Sequence, residues 1–298
     1  MNIAVIGLGN IGGGVAANLA ATDRQLVVAD LDPAKVAQLV ALGAQATPTA
    51  AAAVADADVV FTSLPGPKQI SAVGAEMLPN MKPGAIWVEM STNDLATARL
   101  LAASAAAVDV RIIDAPVSGG PEGAQAGTLS IFVGGDATDV AEVQPLLDVV
   151  GAKVDHLGPH GAGIVAKIAQ VTLCYTQTVT LIEALLLGVK GGVEPAKMLD
   201  IIQNSAGTSY CATAYGPEIL AGTYDTSFPI SHAAKDMRLA MEMADTVGAD
   251  LSFTARVAEL YAETEATFGP DAAHCMAAKI IEQRNDLILH EHIHEVSP

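Results

Sequence analysis

The chain is poor in aromatic residues, in cysteine and in charge, and what charge it has is lopsided. Aromatic side chains make up 4% of its 298 residues, with one tryptophan, Trp87, so the core must be built from aliphatic side chains. Cysteine occurs at Cys174, Cys211 and Cys275 only. An odd number without paired spacing excludes a disulfide framework or a zinc motif and fits a reducing compartment. Fifteen basic residues stand against 33 acidic ones, a net charge of −18. Such a chain is repelled by phosphate backbones and anionic lipid, so neither nucleic acid nor a membrane surface is an expected partner. An anionic ligand would have to be held by a local site. Charged residues amount to 16% and hydrophobic ones to 51%, which excludes a disordered chain. No basic leader precedes the apolar start, and the apolar stretch Thr178–Val189 carries Glu183 and falls short of the roughly 20 residues a spanning helix needs. A soluble cytoplasmic protein is expected.

What is present is an alternation. The runs Asn2–Ile6, Gln25–Asp30, Asp58–Leu64, Ala85–Met90, Arg111–Ala115 and Leu129–Val133 are β-branched or apolar and end in turn residues. Alanine-rich segments of helical length separate them. Apolar runs without polar alternation suit strands buried on both faces, and their alternation with helices predicts a doubly wound parallel α/β sheet. From about Gly158 no clear strand run remains. Ile164, Ile168, Val171, Tyr175, Val179, Ile182 and Leu186 recur at helical spacing, between Gly161 and Gly163 before them and Gly188 after. A long helix is expected there, followed by further helices punctuated by Pro195, Pro217, Pro229 and Pro270. The expected organisation is a nucleotide-binding domain over 1–160 and an all-helical domain over 161–298 that begins with the long helix.

The first strand runs into Gly7-Leu8-Gly9-Asn10-Ile11-Gly12, a G-x-G-x-x-G that opens a helix. In such a loop the first glycine makes the tight turn, the second lets the backbone approach a pyrophosphate, and the third lets helix pack on strand. The helix N-terminus attracts the phosphates. Asp30 ends the next strand run 18 residues after Gly12. A carboxylate there accepts hydrogen bonds from a ribose 2′-hydroxyl and repels a 2′-phosphate. Leu31 and Asp32 follow it, with no arginine, so NAD is expected in preference to NADP.

Three further segments add to this: Asp114-Ala115-Pro116-Val117-Ser118-Gly119-Gly120-Pro121-Glu122-Gly123-Ala124, continuing to Gly127-Thr128-Leu129; Gly161-Ala162-Gly163-Ile164-Val165-Ala166-Lys167; and Phe228-Pro229-Ile230 leading to Lys235-Asp236. With the glycine loop, and in this order, they resemble the β-hydroxyacid dehydrogenase family. That family includes 3-hydroxyisobutyrate dehydrogenase and tartronate semialdehyde reductase, with 6-phosphogluconate dehydrogenase as a larger relative. The likeness covers nearly the whole chain. It implies a Rossmann domain joined to a helical domain by a long helix, and NAD-dependent hydride transfer to or from a small hydroxy acid or similar anionic alcohol.

The resemblance also assigns roles. Ser118, Gly119 and Gly120 would hold the substrate, which agrees with their position after a strand end and with the unshielded N–H groups of paired glycines. Lys167 would be the general acid/base. It lies among Ile164, Val165, Ala166 and Ile168, and desolvation favours the neutral amine that proton transfer needs. Read without the family, a lysine snorkelling from a helix end would be the simpler account. Leu64 and Pro65, Ser91 and Thr92, and Lys235 would lie beside the nicotinamide half of the cofactor. One position departs from the pattern. The family usually has asparagine four residues after the lysine, to orient the substrate; here that residue is Val171, with Gln170 beside it. Either Gln170 takes the polar role, or the substrate lacks the group that asparagine would hold, and the second is the favoured expectation.

Other groups carry less. His290, His292 and His294 read as a solvated tail, and no metal site is expected. His156 and His160 read as loop histidines. No serine stands in a G-x-S-x-G, so hydrolase chemistry has no support. Leu185, Leu186 and Leu187 run consecutively on a helix apolar on more than one face, and the family assembles through its helical domain, so a homodimer or homotetramer is expected. Two rivals to the dehydrogenase are an imine reductase, against which Lys167 counts, and a non-enzymatic nucleotide-binding regulator, favoured only by Val171.

Overall fold

The computed structural model describes residues 1–290. The chain forms two compact units, Met1–Lys167 and Ile168 to the C-terminus. The division falls inside the long helix, seven residues beyond the expected boundary, because the first turns of that helix are hydrogen-bonded to the sheet of the first unit.

The first unit is a nine-stranded sheet: β1 (Asn2–Ile6), β2 (Gln25–Ala29), β3 (Gln45–Ala46), β4 (Val59–Thr62), β5 (Ile86–Glu89), β6 (Arg111–Asp114), β7 (Val117–Ser118), β8 (Leu129–Gly134) and β9 (Gly151–Gly158). The order is β3-β2-β1-β4-β5-β6-β8-β7, with β9 paired to β8. The first six strands are parallel. The chain moves outwards from β1 to β2 and β3, then crosses back to β4 on the other side of β1. That reversal is the topological switch point at which doubly wound sheets bind their ligands. Both faces of the sheet are covered, which is why its strands read as unbroken apolar runs. Ile3, Val5, Val28, Phe61, Val88 and Ile113 point into one buried layer. The alternate residues Ala4, Ile6, Val60 and Trp87 point into the other.

Three strands were not legible in the sequence. β3 and β7 have two residues each, and β9 carries Lys153, Asp155 and His156 on an exposed sheet margin. His156 is thus a strand residue, its Nε2 within 2.9 Å of Gly135 O.

The second unit is helical, with no strand among its described residues. The long helix spans Ala162–Lys190 and so starts in the first unit. At about 1.5 Å per residue it is roughly 43 Å long. It does not stop at Gly188: it continues to Lys190 and ends at Gly191-Gly192, where Gly192 adopts φ +92°. Gly188 instead marks close packing, since a Cβ there would lie 2.4 Å from Met198 Sδ. By length and composition this helix could cross a membrane, unlike the shorter stretch first considered. Here its Val171, Tyr175, Ile182 and Leu185 are core residues, packed with Met237, Val257, Tyr261 and Ile281 of later helices.

Candidate active site

The glycine loop joins β1 to the helix Asn10–Ala20. Gly7 has φ +85°, and a Cβ on it would lie 2.2 Å from Ser63 O; a Cβ on Gly12 would lie 1.9 Å from Gly7 O. Both positions therefore require glycine. Gly9 is different: a Cβ there would meet nothing within 4 Å. Its missing side chain keeps open the space in front of a helix start that has neither a side-chain cap nor an acidic residue in its first turn. An uncapped, unblocked helix N-terminus is what a pyrophosphate needs.

Asp30 follows β2 and accepts hydrogen bonds from the backbone N–H groups of Leu8 and Asp32. Its carboxylate is thus fixed against the glycine loop. Beside it is a hollow of about 320 Å³ lined by Asp30, Leu31, Pro33, Val36, Ala46, Thr47 and Pro48. The lining contains no cation to receive a 2′-phosphate. Open helix start, fixed carboxylate and mostly apolar hollow together fit the pyrophosphate, ribose and adenine of NAD.

The loops after β4 and β5 are tied to each other. Leu64 N–H donates to Ser91 Oγ (2.8 Å), and Ser91 N–H donates to Glu89 Oε1 (2.9 Å). Trp87 Nε1 donates to Thr62 Oγ1 at 2.8 Å. Pro65 is exposed and Thr92 half-buried beside these anchors. Glu89 is buried, and its Oε2 finds no hydrogen-bond partner among the described residues. Desolvation pushes its carboxyl up to about 7, against the hydrogen bonds from Ser91 and Thr62. Asp114, its register partner on β6, adds repulsion.

β7 continues the line of β6 along β8, so Ser118 stands four residues past Asp114, beyond the edge of the parallel strands. Gly119 and Gly120 follow in left-handed conformations, φ +128° and +65°, both exposed. They open the helix Gly120–Ala126, which is held to the glycine-loop helix by Asn18: its Nδ2 donates to Ala124 O at 2.8 Å and to Gly14 O at 2.9 Å.

Asp114 itself is buried at the end of β6 and serves as a cap brought from a distant part of the chain. It accepts from Gly161 N–H at 2.6 Å and from Ile164 N–H at 2.8 Å, the start of the long helix. Gly163 makes the approach possible, since a Cβ there would lie 2.1 Å from Phe132 O and 2.8 Å from Asp114 Oδ2. Burial raises the Asp114 carboxyl above its usual range, while the Gly161 N–H and nearby His160 pull the other way. His160, whose Nε2 is 4.0 Å from Asp114 Oδ1, is shifted downwards by its own burial. Lys167 lies three residues after Ile164 on the same helix, half-buried. One buried carboxylate therefore links the strand end that leads to Ser118 with the helix that carries Lys167.

The remaining expected residues belong to the second unit. Gln170 is exposed. Val171 is 6% exposed and part of the apolar core with Tyr175. Lys235 pairs with Asp236 Oδ1 at 3.2 Å, and buried Asp236 accepts from Tyr175 OH at 3.3 Å. His290 lies beside Tyr224 (3.4 Å); His292 and His294 lie outside the described residues. Sequence reasoning gave no role to Glu89 or Asp114. The available signal was a single acid one residue before the end of each of two strand runs, Ala85–Met90 and Arg111–Ala115.

Comparison with known proteins gives a consistent picture. Residues 2–158 match the NAD binding domain of 6-phosphogluconate dehydrogenase, and residues 161–281 match the domain described as NAD-binding of NADP-dependent 3-hydroxyisobutyrate dehydrogenase. The chain is 36% identical over 270 residues to 3-hydroxyisobutyrate dehydrogenase of Pseudomonas aeruginosa, covering 87% of this chain and 91% of that one. It is 36% identical over 265 residues to 2-(hydroxymethyl)glutarate dehydrogenase of Eubacterium barkeri, covering 88% of each. Among solved structures, 3-hydroxyisobutyrate dehydrogenase of Mycobacterium tuberculosis with L-serine superposes with a TM-score of 0.88 at 28% identity, covering 94% of this chain and 98% of that one.

Proposed function

The chain belongs to the β-hydroxyacid dehydrogenase family and is an NAD-dependent dehydrogenase acting on CH–OH groups; from that premise we propose that its substrate carries a hydroxymethyl group on the carbon next to a carboxylate. The names of the relatives support this. 3-Hydroxyisobutyrate, 2-(hydroxymethyl)glutarate and L-serine share that HO–CH2–CH–COO⁻ unit and differ in the third substituent.

Ser118 Oγ and the N–H groups of Gly119 and Gly120 hold the substrate carboxylate. Lys167 Nζ, as the free amine, takes the hydroxyl proton as the alcohol becomes an aldehyde; in reverse, its ammonium returns that proton to the forming alkoxide. NAD, bound over the glycine loop, supplies the hydride acceptor. Asp30 binds the adenosine ribose and favours NAD over NADP. Leu64, Pro65 and Thr92 support the nicotinamide half. The observation that carries the reading is the Asp114 link: this buried carboxylate, four residues before Ser118, accepts hydrogen bonds from Gly161 N–H and Ile164 N–H at the start of the helix that bears Lys167.

Val171 packs into the helical core with Tyr175, and that burial by itself accounts for a valine there; the alternative, a substrate without the group that asparagine would hold, is separated from it by Val171→Asn. Gln170 is then the polar residue on offer to the substrate. Leu173 and Leu187, exposed on the long helix, support assembly of a cytoplasmic homo-oligomer through the helical domain; light scattering at micromolar concentration is expected to give a multiple of 30.3 kDa, and a lone monomer would contradict it.

The substrate reading is tested by following NAD reduction with 3-hydroxyisobutyrate, 2-(hydroxymethyl)glutarate and L-serine beside secondary hydroxy acids and plain alcohols. Turnover confined to the secondary or uncharged alcohols would overturn it.

A further inference from the structure

Two of the three cysteines, far apart in sequence, meet in the second unit. Cys174 lies on the long helix and Cys211 on the helix Tyr210–Ala214, and their sulfur atoms are 3.7 Å apart. A disulfide needs an S–S distance of about 2.05 Å. The gap to be closed is therefore smaller than the width of an atom, and side-chain rotation with a slight shift of a five-residue helix covers it. Cys211 is already directed at the long helix: its Sγ–H donates to Cys174 O at 3.2 Å, with Gln177 Oε1 at 4.0 Å.

The two thiols differ in a useful way. Cys174 is half-buried and can be reached from solvent, whereas Cys211 is fully buried. The Cys174 thiol beside it draws the Cys211 thiol down to about 7, with help from Thr178 and against desolvation. A buried thiol that ionises near neutrality and faces a more accessible one suits the resolving position of a dithiol. Cys275 provides the contrast. It too is fully buried, but desolvation pushes its thiol well above the usual range, so it should stay inert.

We propose that Cys174 and Cys211 form an oxidisable dithiol that hydrogen peroxide converts to a disulfide. Cys174 sulfur attacks one peroxide oxygen; the S–O bond forms, the O–O bond breaks, and the leaving hydroxide takes up the thiol proton as water. Cys211 sulfur then attacks Cys174 sulfur. The S–S bond forms, the S–O bond breaks, and the second hydroxide leaves as water with the Cys211 proton. Two thiols and one peroxide give one disulfide and two waters, the two electrons passing from sulfur to oxygen. The bond would staple the helix Tyr210–Ala214 to the long helix two turns beyond Lys167. It rests on the sulfur geometry and the differing exposure of the two thiols and does not depend on the substrate or proton-transfer reading above.

The full-length protein should be treated with stoichiometric hydrogen peroxide, denatured without reductant and titrated for thiols. Three thiols before treatment should become one, the mass should fall by two hydrogens, and peptide mapping should join the Cys174 and Cys211 peptides within one chain. Dithiothreitol should restore all three. In Cys211→Ser the reaction should stop at Cys174 sulfenic acid, captured by dimedone. Three thiols surviving treatment, a sulfinic acid at Cys174 of the unmodified protein, or a disulfide between chains would each overturn the proposal.

Discussion

Replacing Asp114 probes the link between sheet and long helix. Alanine there removes the acceptor for Gly161 N–H and Ile164 N–H, and both sites are buried. A hydrogen bond to a charged group contributes about 1.5–3 kcal/mol, and an N–H left buried without a partner costs about 1–3 kcal/mol. The two bonds together set an expected loss of roughly 3–5 kcal/mol, reduced from the simple sum because ionised Asp114 is itself held against desolvation. Asparagine keeps the shape and one acceptor oxygen but turns an NH2 towards the second N–H, so about half that loss is expected. The pH dependence has a definite sign. Burial raises the carboxyl, so the folded state binds its proton more readily than the unfolded one; the contribution of Asp114 is greatest in acid and declines as pH rises through its folded value. The Asn variant should lack that decline. Glu89 on β5 and His160 on the approach to the helix also face this carboxyl and remain as background in both proteins. The assay is urea unfolding followed by tryptophan fluorescence, because the lone tryptophan, Trp87, is buried in the sheet and reports on the first unit alone. An Asp114→Ala midpoint within error of the unmodified protein would refute the reasoning.

Glu89→Gln should flatten stability across pH 4.5 to 7: desolvation raises the native carboxyl from 4.5 to about 7, so its contribution is fully present below pH 4.5 and lost as pH approaches 7. The loss is about 3 kcal/mol at about 1.4 kcal/mol per unit, read as urea midpoints at pH 5 and pH 8. Asp30→Ala combined with Leu31→Arg should move the kcat/KM preference from NAD towards NADP; an unmodified protein that already prefers NADP would show that Asp30 has been misread. Val171→Asn should destabilise the helical domain by about 1–3 kcal/mol, the usual effect of burying an unpaired amide, with Gln170→Ala the more harmful to turnover. If Val171→Asn leaves the thermal midpoint alone but changes substrate choice, the side chain faces substrate and not core.

The sheet was legible because its physics is local. Strands buried on both faces read as apolar runs, and Gly7 and Gly12 stand where a tight turn and a close helix start leave no room for a Cβ. β9 was not legible: an edge strand bearing Lys153, Asp155 and His156 lacks the apolar signal of its neighbours. Gly188 read as a helix stop, whereas it is the point where another helix packs close, a tertiary fact invisible to periodicity. The same holds at the site. Ser118 and Lys167 stand in recognisable segments, but nothing local tells that Asp114 bonds a helix start 47 and 50 residues away. Val171 carries two readings in the sequence, a member of the apolar helical stripe and a departure from the family's asparagine; the fold shows the first, with Val171 packed beside Tyr175. The meeting of Cys174 with Cys211, 37 residues apart, is of the same kind.

On the function proposed above, Lys167 moves the substrate proton while the glycine loop and Asp30 hold the cofactor independently of it. Lys167→Ala, assayed with whichever hydroxymethyl acid the unmodified enzyme turns over fastest, separates the two. The kcat should fall by about 10²–10⁴, the range for a positioned acid/base. The Kd for NAD, measured by calorimetry without substrate, should stay unchanged, and the pH profile of kcat/KM should lose one limb. A variant that keeps the full kcat would contradict the mechanism and leave the family fold without the proton transfer assigned to it.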